Sequence, residues 1–245
     1  MVFEFETPPS QGWFEEIWRR REDEIYPSLF GLMPDTVIPL PLETLRAILG
    51  SDQEIDNTWR HYAVIEVAPN EKHADWIYVT SAFSQPWKVE NPAELEPNGS
   101  SGYGYELLLR TPERAGWAVD VLHRLSAYQI GVYYERMKGK LFRWHDWMPL
   151  NGPINPALPT TPVRGMILTH PRDIDARFDL SSGGVEFLQI VGITGPELAY
   201  GIHQGFERLE NLLYEAGAAP TTDPARTTIE LPLQFKLPVQ LVSRF

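Results

Sequence analysis

Residues 144–147 place titratable side chains between two tryptophans, in the order Trp-His-Asp-Trp. A histidine and a carboxylate in aromatic surroundings could form a proton-transfer group with a tuned pKa. Neighbouring residues of a strand point to opposite faces of a sheet, so His145 and Asp146 need not meet. We therefore interpret this stretch as an aromatic-rich interface patch, with a packed-core role as the alternative.

A polar loop offers a second set of groups, which could hold a hard metal ion. Its candidate ligands are His170, Asp173, Asp175 and Asp179. Arg172 and Arg177 lie among them and would neutralise the carboxylates, and the spacing matches no fixed ligand pattern. We predict that the chain has no metal site and no cofactor.

The sequence lacks the motifs of the common catalytic sites. It contains no serine elbow, P-loop, dinucleotide-binding glycine fingerprint or zinc-binding helix motif. Residues 99–102 read Gly-Ser-Ser-Gly, which predicts a turn before a strand. We predict that the protein is not an enzyme. A hydrolase of unrecognised type is a second alternative, and it would require histidines such as His145 to gather with other titratable groups in a pocket.

Composition and charge exclude several further classes. The chain has 245 residues, 33 acidic and 21 basic side chains, a net charge of −12 and no cysteine. The absence of cysteine excludes disulfides and thiolate metal sites, and the acidic charge argues against nucleic-acid binding. The longest apolar runs, such as Leu188–Ile193, are too short to span a membrane. Met1 to Ser10 carry Glu4 and Glu6 and no secretory pattern, so we expect a cytoplasmic protein.

The elements that must position these groups follow from hydrophobic periodicity and capping residues. We predict helices over 10–26, 43–49 and 117–136, and a fourth that opens with the capping box of Thr194 and Glu197 and closes at Gly217. The fourth helix would bury Leu198, Ile202, Phe206, Leu209 and Leu213. The Arg19-Arg20-Arg21 run of the first helix is expected to be solvated and paired with neighbouring glutamates.

Strands are predicted where β-branched and aromatic residues cluster or alternate. These segments are His61–Val67, Trp76–Phe83, Tyr103–Arg110, Val163–Thr169 and Val185–Ile193. Residues 227–245 could add edge strands to the same sheet. Strands cluster rather than alternate strictly with helices, so we predict an α+β fold with a mixed or antiparallel sheet packed with three main helices.

Four segments together resemble the Suppressor of fused family in order and spacing. They are residues 76–84 (WIYVTSAFS), 101–107 (SGYGYEL), 166–171 (MILTHP) and 185–194 (VEFLQIVGIT). The Trp-Met-Pro-Leu of residues 147–150 also resembles a family motif. The likeness spans about residues 28–217. We accordingly assign 28–222 to a Suppressor-of-fused-like domain, 1–27 to an N-terminal helix and 223–245 to a C-terminal strand extension of the same domain.

The resemblance implies a protein-binding module without known catalytic chemistry. Animal members of the family grip an extended peptide of a transcription factor as an added strand, and this chain is similar only to their N-terminal half. Compact bacterial relatives look like immunity proteins that neutralise polymorphic toxins. We expect a stoichiometric inhibitor whose partner is another protein, a basic toxin domain in view of the acidic charge. A regulator or holder of an endogenous partner is the alternative.

The resemblance and the aromatic content together indicate the partner-binding residues. Trp87, Leu95 and Asn98 lie where the family contacts its peptide, with Asn98 replacing an aspartate and so removing a carboxylate. The aromatic patches add Tyr103, Trp144, His145 and Trp147. Our hypothesis is an open sheet edge flanked by these rings, ready to be completed by a foreign strand. For Trp87 the alternative is a tryptophan folded back to cap the core.

Overall fold

The computed structural model describes residues 12–96 and 98–232. The helices are α1 Gly12–Arg19, α2 Tyr26–Phe30, α3 Leu42–Leu49, α4 Gly116–Tyr133, α5 Gly195–Gln204 and α6 Phe206–Glu215. A π-helical segment, Arg20–Ile25, joins α1 to α2, and short 3-10 turns lie at Asn57–His61 and Pro92–Glu94. None of the helices in these two ranges is long and apolar enough to cross a membrane.

One mixed sheet organises the molecule. Its strands are β1 Ile38–Pro39, β2 Ala63–Val67, β3 Trp76–Ser81, β4 Ser100–Thr111, β5 Trp147–Pro149, β6 Val163–Thr169, β7 Arg177–Leu180 and β8 Gly183–Thr194. The strand order is β1-β2-β3-β4-β8-β6-β5, and β7 pairs with the first residues of β8. Among the strands of residues 12–96 and 98–232, only the central β4–β8 pair is parallel. The predicted α+β fold with a mixed sheet is confirmed.

The two faces of the sheet are covered by different helices. The alternation predicted for β4 is confirmed, because Tyr105, Leu107 and Leu109 pack in the cluster that contains α4 residues such as Leu122. Leu108 points to the other face, where it meets residues of α2 and β8. The helices α5 and α6 cover the remaining part of that second face over β6 and β8. Both faces of the central strands are therefore buried.

The arginine run at residues 19–21 does not form a uniform solvated face. Arg19 and Arg20 are exposed and pair with glutamates of the same helical stretch, as predicted. Arg21, however, is completely buried and donates to side chains at the end of β3. The prediction was wrong for Arg21 because the chain changes to π-helical spacing at this point. That spacing alters the angle between successive side chains.

Two predicted helix boundaries were wrong. The first helix was predicted to end at residue 26, but the helical stretch continues through the π-helical segment into α2, which contains Pro27 and ends at Phe30. The helix opened by the Thr194–Glu197 capping box is confirmed at its start, but it divides at Gly205, whose φ is +98°. Because α6 sets off in a new direction, Ile202 is 43% exposed instead of buried.

The C-terminal residues follow the sheet without forming a strand in residues 223–232. Arg226 fastens this stretch, donating to both carboxylate oxygens of Glu197 at 2.7 Å and to the carbonyl of Gly192. The rest of the predicted strand extension, residues 233–245, lies outside the described residues, as does the start of the N-terminal helix at Ser10.

Candidate partner-binding site

The parallel pairing of β4 with β8 is interrupted near the start of both strands. Ser100 is opposite Gly184 and Tyr105 is opposite Glu186, so β4 advances five residues while β8 advances two. The extra residues of β4 bulge, with Gly102 at φ +58° and Gly104 at φ +83°. A Cβ at Gly102 would clash with the carbonyl of Phe83, so the bulge requires glycine at this position.

A groove of about 790 Å³ lies over this interruption, and we call it the β4–β8 groove. Strands β4, β7 and β8 line it together with the segment 141–145. Four of the residues predicted to bind a partner line it: Asn98, Tyr103, Trp144 and His145. Leu95, Trp87 and Trp147 are not among the lining residues. The structure therefore brings together four of the seven predicted residues.

Trp144 forms an aromatic wall of the β4–β8 groove. It is half-buried, and its indole N–H donates to the carbonyl of Phe187 at 3.2 Å. Its ring lies 3.8 Å from that of His170, and the guanidinium of Arg177 lies 5.0 Å from its centroid. These contacts fix the ring while leaving part of its surface accessible, as an anchoring residue requires.

Tyr103 and Asn98 occupy different depths of the groove. Tyr103 is only 6% exposed, stacks on Tyr133 with centroids 4.0 Å apart, and accepts a hydrogen bond from the Tyr62 hydroxyl at 2.9 Å. Burial raises its pKa well above the ordinary value, so the hydroxyl stays protonated. Asn98 is exposed at the rim with φ +63°, a conformation that asparagine adopts more readily than most residues. Tyr103 thus shapes the floor, and Asn98 is available for contact.

Trp87 packs back onto the core. Its indole N–H donates to the carbonyl of Ala82 at 2.7 Å. Its ring stacks on His61 and Tyr62, at centroid distances of 5.5 and 5.8 Å. This arrangement matches the alternative of a core cap. Leu95 is half-buried in the loop that follows the Pro92–Glu94 turn.

Trp147 lies apart from the groove residues, on β5 at the end of the sheet order. Its side chain is 43% exposed and stacks on Phe206 of α6, with centroids 5.5 Å apart and planes 18° apart. The next residues, Met148 and Pro149, line a different groove of about 690 Å³ beside α4. Trp147 therefore marks a separate surface.

His145 joins His170 and Glu210 in a cluster of titratable groups, which is the arrangement that the hydrolase alternative requires, although Glu210 was not predicted. Its Nε2 lies 2.8 Å from Oε2 of Glu210 on α6, and Nδ1 of His170 lies 3.5 Å from the same oxygen. The side chain of Glu210 is 3% exposed, and its other oxygen accepts from Arg172 at 3.1 Å. Asp146 turns elsewhere and pairs with Lys140. No local pattern predicts this cluster, because its members come from three separate parts of the chain.

The aspartates of the polar loop do not assemble around His170. Asp173 instead holds the buried guanidinium of Arg110 through two contacts of 2.5 and 3.0 Å. Arg177 pairs with Glu186 at 2.5 Å. The expected neutralisation of the loop aspartates by Arg172 and Arg177 is therefore wrong: Arg172 pairs with Glu210, and Asp173 is neutralised by Arg110 of β4.

Comparison with known proteins identifies the class of protein to which this fold and groove belong. The model of the Suppressor of fused protein (SUFU) family matches residues 58–227. The chain belongs to the Suppressor of fused family. None of the curated proteins compared with it gives a significant match.

Two of the solved structures compared with this chain share its fold at low sequence identity. The structure of the Sufu–Fu complex aligns with a TM-score of 0.52 and 16% identity, covering 78% of this chain and 93% of that one. Drosophila Suppressor of Fused aligns with a TM-score of 0.54 and 15% identity, over 80% of this chain and 54% of that one. A SUFU homolog from Neisseria gonorrhoeae aligns with a TM-score of 0.49 and 16% identity, covering 78% of this chain and 95% of that one. This chain thus corresponds to about half the length of the Drosophila protein.

Proposed function

We propose that the protein is a non-catalytic binding module that accepts an extended segment of a partner protein in the β4–β8 groove. The observation that carries this proposal is the groove itself, which lies beside β7, a strand of four residues. Among the described strands, β7 pairs only with β8. An unpaired strand edge offers backbone donors and acceptors that an incoming peptide can complete.

The side chains of β7 suit such an addition. Phe178 packs toward the core between Tyr26 and Phe187, with ring centroids 6.3 and 5.1 Å away. Phe178 also contributes to the groove lining, together with its neighbours Arg177 and Asp179. An added strand would therefore meet one cationic and one anionic side chain at alternate positions, with Trp144 as an apolar anchor opposite.

The partner we propose is a basic toxin domain, so that the protein acts as a stoichiometric immunity protein in the bacterial cytoplasm. Two considerations support this choice. The net charge of −12 favours a cationic partner, and compact members of the family resemble immunity proteins. That the solved Sufu–Fu structure is a complex supports protein binding in general.

Site-specific photo-crosslinking tests the location of the partner. A photoreactive phenylalanine analogue would replace Asp179 in the groove, and in a matched control it would replace Glu207, exposed on α6. After irradiation in the native host, we expect an adduct with one protein from position 179 and not from position 207. Equal labelling from both positions, or from 207 alone, would contradict binding in the β4–β8 groove.

The identity of the crosslinked protein separates immunity from regulation. An immunity protein requires that the captured partner arrest growth when expressed alone, and that co-expression of this chain restore growth. A captured protein that is harmless alone would favour the alternative, a regulator or holder of an endogenous partner. A signal at position 179 would still support the peptide-binding groove in that case.

A further inference from the structure

Three side chains from distant parts of the sequence converge at one end of the β4–β8 groove. His145 precedes β5, His170 follows β6, and Glu210 lies on α6. The ligand atoms of the three residues all lie within 4.8 Å of one another. Within the described ranges this is the one group of three or more histidine, aspartate or glutamate side chains so arranged.

The spacing of these atoms suits a tetrahedral metal ion. Zinc binds histidine nitrogen and carboxylate oxygen at about 2.0–2.2 Å, which places ligand atoms of a tetrahedron roughly 3.3 Å apart. The distances to Oε2 of Glu210 are 2.8 Å from Nε2 of His145 and 3.5 Å from Nδ1 of His170. Small side-chain adjustments would therefore admit an ion between the three atoms.

The backbone holds His145 in an unusual conformation that directs it to the cluster. Its φ is +66°, in the left-handed region that few residues other than glycine adopt and in which histidine, asparagine and aspartate are enriched. Hydrogen bonds to Leu168 bracket it, from His145 N to Leu168 O at 2.7 Å and from Leu168 N to Asp146 O at 2.8 Å. Residues held in strained conformations concentrate at functional sites.

The surroundings provide both an orienting shell and an open side. Arg172 donates to Oε1 of Glu210 at 3.1 Å and to Asn211 at 2.7 Å, so the carboxylate is held with Oε2 toward the histidines. The histidine side chains are 32% and 35% exposed and face the groove. Water could therefore supply a fourth ligand.

We propose that His145, His170 and Glu210 bind one divalent transition-metal ion of the zinc class. Two histidines and a carboxylate with an open position are a ligand set that zinc accepts. The site uses none of the polar-loop aspartates, and its two histidines line one end of the groove proposed to accept the partner segment, so metal binding is measured on the chain alone. The rival description is a cluster of hydrogen-bonded ion pairs that binds no metal.

Calorimetric titration of the chelator-treated full chain with Zn²⁺ tests the proposal, with Co²⁺ as a spectroscopic probe. We expect one Zn²⁺ per chain, and visible absorption bands of low-symmetry Co²⁺. His145→Ala and His170→Ala should each weaken Zn²⁺ binding by at least about 10-fold, and both should remove the Co²⁺ bands. The control His203→Ala, on α5, should bind like the wild type.

Glu210 is buried, so its replacement could disturb folding; the two half-exposed histidines avoid this difficulty. Circular dichroism of each variant confirms that it is folded before titration. Failure of the wild type to bind Zn²⁺ above the level of the His145→Ala/His170→Ala double variant would overturn the proposal. Binding that the double variant retains at full strength would also overturn it, because the metal would then lie elsewhere.

Discussion

Arg21 and Glu106 are two fully buried side chains of opposite charge in the layer between the N-terminal helices and the sheet. Glu106 accepts hydrogen bonds from Thr80 Oγ1 at 2.6 Å and from the backbone and hydroxyl of Ser84 at 2.8 and 2.7 Å. Burial raises the pKa of Glu106, and Arg21 opposes that rise. The guanidinium and these hydrogen bonds therefore favour the ionised form of the buried carboxylate against the effect of burial.

Arg21→Met should destabilise the protein strongly, because it leaves Glu106 buried without its counter-charge. Removing the charge that faces a buried ionised group costs about 3–5 kcal/mol, and the substitution also removes the ion pair of Arg21 with Glu22. Without Arg21 the pKa of Glu106 rises further, so the folded variant takes up a proton that the unfolded chain lacks. Its stability should then increase as the pH falls from about 8 to about 5, relative to the wild type.

Urea denaturation at several pH values measures both effects, with Arg20→Met as the matched control. Arg20 is exposed, and its ion pair within the described part of the chain is with Glu24 at 3.4 Å, so its removal should change stability by about 0.5 kcal/mol or less. A loss in Arg21→Met that is equally large at every pH would show that Arg21 acts by packing rather than by charge.

Trp87→Ala and Trp144→Ala should separate core packing from partner binding. Trp87 stacks on His61 and Tyr62, so its truncation should lower the free energy of unfolding by about 3 kcal/mol. Thermal or urea denaturation of the isolated protein measures this loss. A free energy of unfolding equal to that of the wild type would contradict the core role of Trp87 and favour its role in partner binding.

Trp144→Ala should instead weaken the complex, by about 2 kcal/mol if the ring anchors the partner segment. Surface plasmon resonance with the crosslinked partner measures the affinity, and Trp147→Ala on the separate β5 surface is the comparison. Equal losses from Trp144→Ala and Trp147→Ala would argue against a site confined to the β4–β8 groove.

The best predicted elements carry local signals. In each case a few neighbouring residues determine the local structure. The examples are the alternation of Tyr103–Arg110, the capping box of Thr194 and Glu197, and Gly50 at the end of α3. The two-residue β1 and four-residue β7 lack such signals, because tertiary pairing rather than propensity makes them strands.

Gly205→Ala should test the division between α5 and α6. Gly205 has φ +98°, and an added Cβ would have no atom within 4 Å, so the substitution changes backbone strain alone. Its ψ is 141°, so we expect a loss of about 1–3 kcal/mol, the cost of holding an L-residue in a backbone region that is largely restricted to glycine. Denaturant unfolding would compare its free energy of unfolding with that of Gly152→Ala, where the added Cβ also has no atom within 4 Å and φ is not positive. Equal stability of the two variants would contradict this account.

At the scale of the whole molecule, the sequence predicted some of the residues that line the β4–β8 groove but not all members of the cluster at its end. Four residues that the resemblance and the aromatic content predicted to bind a partner do line one groove. They are Asn98, Tyr103, Trp144 and His145. Glu210 could not be anticipated, because it meets His145 across 65 positions of the chain, after α6 has turned away at Gly205. Long-range convergence of this kind depends on the assembled fold.

The net charge of −12 makes the approach of a basic partner a property of the whole surface. We expect the association rate to fall steeply as salt rises from about 0.01 M to about 1 M, because the screening length shrinks from about 30 Å to about 3 Å. The dissociation rate should change much less, since contacts inside the groove are short-ranged.

Stopped-flow mixing with the captured partner measures both rates, and an uncharged osmolyte at matched viscosity is the control. An association rate that does not vary with salt would exclude electrostatic attraction, and with it the argument for a basic toxin, while leaving the peptide-binding groove to be judged by Trp144→Ala.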